Sequence, residues 1–130
     1  MTNDRRELQE TILLVDQKPS TANLMKTYLR VDGFAVDHTA DPSEALKFAS
    51  QVKYGVIITD LVMQGMTGID LYREIRSSYD SRIIFMFLLS ASSEALRLMG
   101  YLDRKDVIKK EPLSINELIH KVRAAFTNSR

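Results

Sequence analysis

The sequence predicts an α/β domain in which a parallel sheet is covered by helices on both faces. Three observations predict it. Two hydrophobic periodicities alternate along the chain from residue 11 onward, three of the apolar runs are too continuous for a half-exposed strand, and proline, glycine and capping residues fall at the changeovers. At 130 residues, length implies a single domain.

The elements follow in order. Thr11–Val15 (TILLV) reads as the first strand, and Leu24, Met25, Tyr28 and Leu29 then recur at helical spacing. Phe34–Val36 reads as the second strand, with Ala45, Leu46 and Ala49 on the helix after it. Val56–Ile58 is the third, followed by Leu71, Tyr72 and Ile75; Ile83–Leu89 is the fourth, followed by Ala95, Leu96 and Met99. Val107–Ile108 is a short fifth strand, and Ile115, Leu118, Ile119, Val122 and Phe126 form the clearest helical stripe. Pro19, Pro42 and Pro112 stand between a run and a helix or in a helix's opening turn, Asp41 and Ser114 are placed to cap helices, and Gly33 and Gly100 stand where helices should stop. Five strand-helix pairs imply parallel strands joined by right-handed crossovers. The polar opening stretch MTNDRRELQE predicts a flexible tail at 1–10, with the domain at 11–127 and a short tail at 128–130.

Composition narrows the function. Lys and Arg total 18 against 17 Asp and Glu, so a net charge of +1 makes no electrostatic case for nucleic acid or an anionic membrane. The longest apolar run, Ile83 to Leu89, falls well short of the roughly 20 residues of a spanning helix. The absence of cysteine removes disulfides, thiolate metal sites and thiol nucleophiles, and with a reducing compartment as the default the expected location is the cytoplasm. His38 and His120 have no second ligand at a metal spacing and read as surface or packing residues, and the five glycines form neither a dinucleotide fingerprint nor a P-loop.

In such a sheet, ligands gather beyond the carboxyl ends of the strands. The residues there are Asp16, Asp60, Ser90 and the pair Lys109–Lys110. A carboxylate is a competent nucleophile toward a phosphoryl group, and a second one beside it can hold Mg²⁺. A hydroxyl and an ammonium can stabilise the remaining phosphoryl oxygens. Each of these alone has a plainer reading, as a helix cap or a solvated charge; the set of four is what points to chemistry.

In order and spacing, "VDQKP", "DLVMQGMTG", "LSA" and "KKEP" resemble the motifs of the receiver domain of bacterial two-component response regulators, over about residues 11 to 126. The resemblance implies a flavodoxin-like (βα)5 three-layer sandwich with a five-stranded sheet of order 2-1-3-4-5. It implies that Asp60 is the phosphoacceptor, that Ser90 and Lys110 attend the phosphoryl group, and that Asp16, Asp60 and the Val62 carbonyl hold Mg²⁺, with Ala91 leaving the acceptor accessible. It also implies a histidine kinase or phosphotransfer protein as donor, and a downstream protein or a second copy bound through the fourth helix, fifth strand and fifth helix. Catalysis would be limited to the domain's own phosphorylation and dephosphorylation. No length remains after Phe126 for an output domain, so the expectation is a lone receiver or the module of a longer regulator.

Several positions depart from the family pattern. Gln17 stands where a second acid commonly ligates the metal, so the site loses one negative charge and should hold Mg²⁺ weakly. Anchoring on Pro112 puts Glu111 in the lysine position; anchoring on the strand DVIKK puts Lys110 there, and the sequence leaves both open. Val107 replaces the usual aromatic of the fifth strand, Gln64 and Thr67 are milder changes, and the fourth helix, about Ser93 to Met99, has only about two turns. A receiver fold kept as a phosphorylation-independent interaction or dimerisation module is the alternative function.

Overall fold

Five strands alternate with five helices in a computed structural model of the chain, in which residues 10–78 and 82–128 are described. The order is β1 (Thr11–Val15), α1 (Pro19–Val31), β2 (Ala35–Thr39), α2 (Pro42–Gln51), β3 (Val56–Asp60), α3 (Gly68–Ser78), β4 (Ile84–Leu89), α4 (Ser93–Met99), β5 (Val107–Lys109) and α5 (Ile115–Asn128). A 3₁₀ turn, Arg104–Asp106, leads into β5. The strands pair in parallel in the order β2-β1-β3-β4-β5, which is the expected flavodoxin-like topology. Strand order reverses at β1, so the carboxyl ends of β1 and β3 flank the point where this class of sheet opens a crevice.

Side-chain parity divides the core into two layers. Ile12, Leu14, Val56, Ile58, Met86, Leu88 and Ile108 pack under Met25 and Leu29 of α1 and Leu118, Val122 and Phe126 of α5. Leu13, Val15, Ile57, Phe85 and Phe87 face the other way, toward Ala45 of α2, Leu71 and Ile75 of α3 and Ala95 and Leu98 of α4. Burial on both faces explains why β1, β3 and β4 read as continuous apolar runs.

One expectation is corrected. The second strand is Ala35–Thr39 rather than Phe34–Val36, because it lies at the sheet's edge, where Ala35 and Asp37 face solvent and an apolar run ends too early. The last helix runs from Ile115 through Asn128. Apart from Glu10 and Asn128, the expected tails at 1–10 and 128–130 lie outside the described residues.

The local signals work as their chemistry suggests. The Asp41 side chain accepts from the Ser43 N–H to cap α2, Ser114 accepts from the Glu117 N–H at α5, and Ser92 caps the seven-residue α4 through the Ala95 N–H. At α3 the cap is reciprocal: the Thr67 hydroxyl accepts from the Asp70 N–H, and the Asp70 carboxylate accepts from the Thr67 N–H, both at 3.0 Å.

Candidate functional site

Three side chains from three strand ends meet in a buried ion cluster. The Lys110 ammonium donates to Asp16 Oδ1 at 2.6 Å and to Asp60 Oδ1 at 2.7 Å. Asp16 is fully buried, Asp60 is 5% exposed and Lys110 7% exposed, so the cluster is shielded from water. Parity brings them together: Asp16, Asp60 and Lys110 continue the rows of Ile12 and Leu14, of Val56 and Ile58, and of Ile108. The β1–β3 register, which ends at Val15 opposite Thr59, carries the two acids side by side at the sheet's edge.

Each carboxylate has further partners. Asp16 accepts from the Lys18 N–H at 2.9 Å through Oδ1 and from the Thr21 hydroxyl at 2.6 Å through Oδ2. Asp60 accepts from the Gln17 N–H at 3.0 Å through Oδ2. The main-chain carbonyl of Asp16 lies 3.0 Å from His38 Nε2, so His38 is a packing residue of the strand end.

These surroundings drive the two acids apart. Burial would raise the Asp16 carboxyl, yet the Lys110 ammonium, the Thr21 hydroxyl and the Lys18 N–H together hold it below its ordinary value. For Asp60, burial dominates; Lys110 and the Gln17 N–H oppose it, the neighbouring Asp16 charge adds to it, and the carboxyl is pushed up to about 6. Burial would lower Lys110, but both carboxylates hold its ammonium protonated above the ordinary lysine range. The cluster therefore pairs a carboxyl that is made more basic, Asp60, with a neighbour that is made more acidic, Asp16.

The remaining expected residues are placed as follows. Glu111 pairs with Lys18 at 3.5 Å on the surface, across a cis bond to Pro112, so Lys110 and not Glu111 points into the cluster. Lys109 is exposed. Ser90 follows β4 half-buried, and its hydroxyl makes no described hydrogen bond to Asp16, Asp60 or Lys110. Val62 is half-buried two residues past Asp60, and Ala91 is exposed. Gln17 sends its side chain away from the acids: Nε2 donates to the Ala40 carbonyl at 3.2 Å, and Oε1 accepts from the Gln64 N–H at 3.1 Å.

Gly68 is a site residue that the sequence reading missed. Its N–H donates to the Leu61 carbonyl at 2.8 Å, and a Cβ there would stand 2.5 Å from the Asp60 carbonyl oxygen. Only a glycine lets the start of α3 press this closely on the Asp60 backbone. The signal was the glycine that ends DLVMQGMTG.

Among the described residues no group of three His, Cys, Asp or Glu side chains is placed to hold a metal. The donor chemistry still fits Mg²⁺: Asp16, Asp60 and the Val62 carbonyl offer oxygen alone, and two carboxylates against one ammonium leave a buried negative charge to neutralise, while the Gln17 oxygen, expected as a further donor, is taken by the Gln64 N–H. With two carboxylates the fit is that of a weak site.

Comparison with known proteins converges on one family. The family model described as "Response regulator receiver domain" matches residues 12–123. The transcriptional regulatory protein ResD of Bacillus subtilis is 31% identical over 113 residues, 87% of this chain and 46% of ResD. The DNA-binding response regulator MtrA of Mycolicibacterium smegmatis is 30% identical over 117 residues, 90% of this chain and 50% of MtrA. The chain thus spans about half the length of the curated relatives it matches. Among solved structures, the signal receiver domain of a histidine kinase from Syntrophus aciditrophicus aligns with a TM-score of 0.80 at 26% identity, covering 92% of this chain and 91% of that one. The chemotaxis response regulator CheY4 of Vibrio cholerae shares the fold, with a TM-score of 0.73 at 24% identity and coverages of 88% and 97%.

Proposed function

Because the chain belongs to the response regulator receiver domain family, a signalling domain of two-component systems, we propose that it accepts a phosphoryl group on Asp60 from a phosphohistidine of a partner kinase or phosphotransfer protein. The observation that carries this reading is the buried Lys110 ammonium shared by the two strand-end carboxylates at 2.6 and 2.7 Å. An Asp60 carboxylate oxygen attacks phosphorus, the P–N bond to the imidazole breaks as the P–O bond forms, and the leaving imidazole nitrogen takes up a proton.

This chain's residues do the positioning. The Gln17 N–H orients one Asp60 oxygen and Lys110 the other, while Thr21 and the Lys18 N–H keep Asp16 ionised beside them. As charge builds on the phosphoryl oxygens, Lys110 can follow it from Asp60. Ser90, at the end of β4, would supply a hydroxyl to the phosphoryl group. Asp16, Asp60 and the Val62 carbonyl would hold Mg²⁺, which when bound neutralises phosphoryl charge. The signal would leave through the face of α4, β5 and α5, toward a downstream protein or a second copy. No helix among the described residues is long and apolar enough to cross a membrane, and the cysteine-free sequence suits the cytoplasm.

Intact mass after incubation with acetyl phosphate and Mg²⁺, beside Asp60→Asn, tests the proposal, with beryllofluoride binding as a check on rapid hydrolysis. The expected result is a labile phosphoryl adduct that the variant lacks. No adduct and no beryllofluoride response would overturn it and leave a phosphorylation-independent interaction module.

A further inference from the structure

We propose that Gln17 is a positioning residue whose side-chain amide straps the acceptor loop to the β2–α2 loop, so that the loop is ordered without a divalent metal. The inference rests on the reading of Asp60 as the acceptor. The segment between Asp60 and Gly68 is anchored at its end, where the Gly68 N–H meets the Leu61 carbonyl and Gly68 presses on the Asp60 backbone. Its middle turns through Gly65, whose φ of +96° is open to glycine and strained for other residues. Gln64, beside that turn, is exposed, and its N–H finds its acceptor in Gln17 Oε1.

Both ends of the Gln17 amide are specified by partners that have no choice of role. The Ala40 carbonyl can only accept, so it faces the NH₂; the Gln64 N–H can only donate, so it faces the oxygen. Gln17 has the parity of Leu13 and Val15, opposite to Asp16, which aims its side chain toward the loops preceding α2 and α3. Its own N–H meanwhile holds Asp60 Oδ2. One residue thus ties together the loops after β1, β2 and β3 and fixes the segment that carries the Val62 carbonyl. A carboxylate at this position has no proton for the Ala40 carbonyl, and an aspartate is also one methylene too short to keep both contacts. It would be free to serve a cation instead, and the loop's order would then depend on that cation.

Amide hydrogen exchange of the full chain, read residue by residue by NMR in EDTA and then in excess Mg²⁺, tests this on wild type, Gln17→Leu and Gln17→Asp. In EDTA the Gln64 N–H should exchange roughly tenfold more slowly in wild type than in Gln17→Leu, as expected for loss of one protecting hydrogen bond. Mg²⁺ should leave the wild-type rate unchanged, whereas in Gln17→Asp slow exchange should appear only with Mg²⁺. Equal rates in wild type and Gln17→Leu, or wild-type protection that appears only with Mg²⁺, would overturn the strap; the second arm needs no variant and so survives a variant that fails to fold. The acetyl phosphate experiment fails separately: protection without an adduct refutes the acceptor reading alone, and an adduct without protection refutes the strap alone.

Discussion

Replacing Lys110 with Met keeps the length and packing of the stem and removes the charge, which leaves two buried carboxylates facing each other without a cation. Breaking a buried ion pair from one side costs about 3–5 kcal/mol, since the stranded charge has lost both its partner and its water. Part of that loss depends on pH. In the wild type, Asp60 takes up a proton near 6; in the variant, without the ammonium, its carboxyl rises further and binds a proton that the unfolded chain does not. Between about pH 6 and about pH 7.5 the variant should therefore lose roughly 2 kcal/mol more than the wild type, at about 1.36 kcal/mol per pH unit. Urea unfolding followed by circular dichroism in EDTA, at several pH values across that window, measures it. The double change Lys110→Met with Asp60→Asn should recover at least about 1–2 kcal/mol near pH 7.5, because it removes the repelling charge. A cost below about 1 kcal/mol near pH 7.5, or one that does not shrink on acidification, would refute the placement of Lys110 between the two acids.

Two more expectations follow from the same site. Gly68→Ala should lower stability by about 2–4 kcal/mol, since the new methyl group meets main-chain atoms of Asp60 that cannot move aside without shifting the end of β3; a near-wild-type urea midpoint would contradict the close approach of α3 to β3. Asp60, whose folded value is raised, binds more protons folded than unfolded between about 4 and about 6, so its contribution falls as pH rises through that window, by up to about 3 kcal/mol in metal-free protein. Asp60→Asn should remove that slope in EDTA, and a slope unchanged in the variant would place the titration elsewhere.

Most of the fold was legible because burial on both faces leaves a strong imprint. The strands β1, β3 and β4 each carry an unbroken apolar run buried on both faces, and their limits were readable to within one or two residues. The edge strand β2 was not, since half its side chains face water and its apolar pattern breaks after Val36. Within the site, strand-end position identified Asp16 and Asp60, but the choice between Lys110 and Glu111 stayed open on motif spacing. Parity was the signal that could have closed it: Lys110 shares the face of Ile108, Lys109 has the opposite face, and Glu111 lies past the strand. The role of the Gln17 amide was not legible at all, because its partners, Ala40 and Gln64, are 23 and 47 positions away and use only their main chains, which any residue would supply.

The strand order also spreads the site over most of the chain. The unit β2-β1-β3 is encoded by roughly the first half of the chain, and assembling it brings Asp16 beside Asp60. Their cation comes from 94 positions beyond Asp16 and 50 beyond Asp60, on a strand that can pair only with β4. Joining segments this far apart along the chain carries a loop-closure cost. Without β5 in place the two carboxylates repel each other, and docking of β5 supplies the ammonium that offsets this. The residue that completes the site is thus also a latch that holds the last strand to the first half of the sheet, and the latch should weaken in acid, where Asp60 carries its proton.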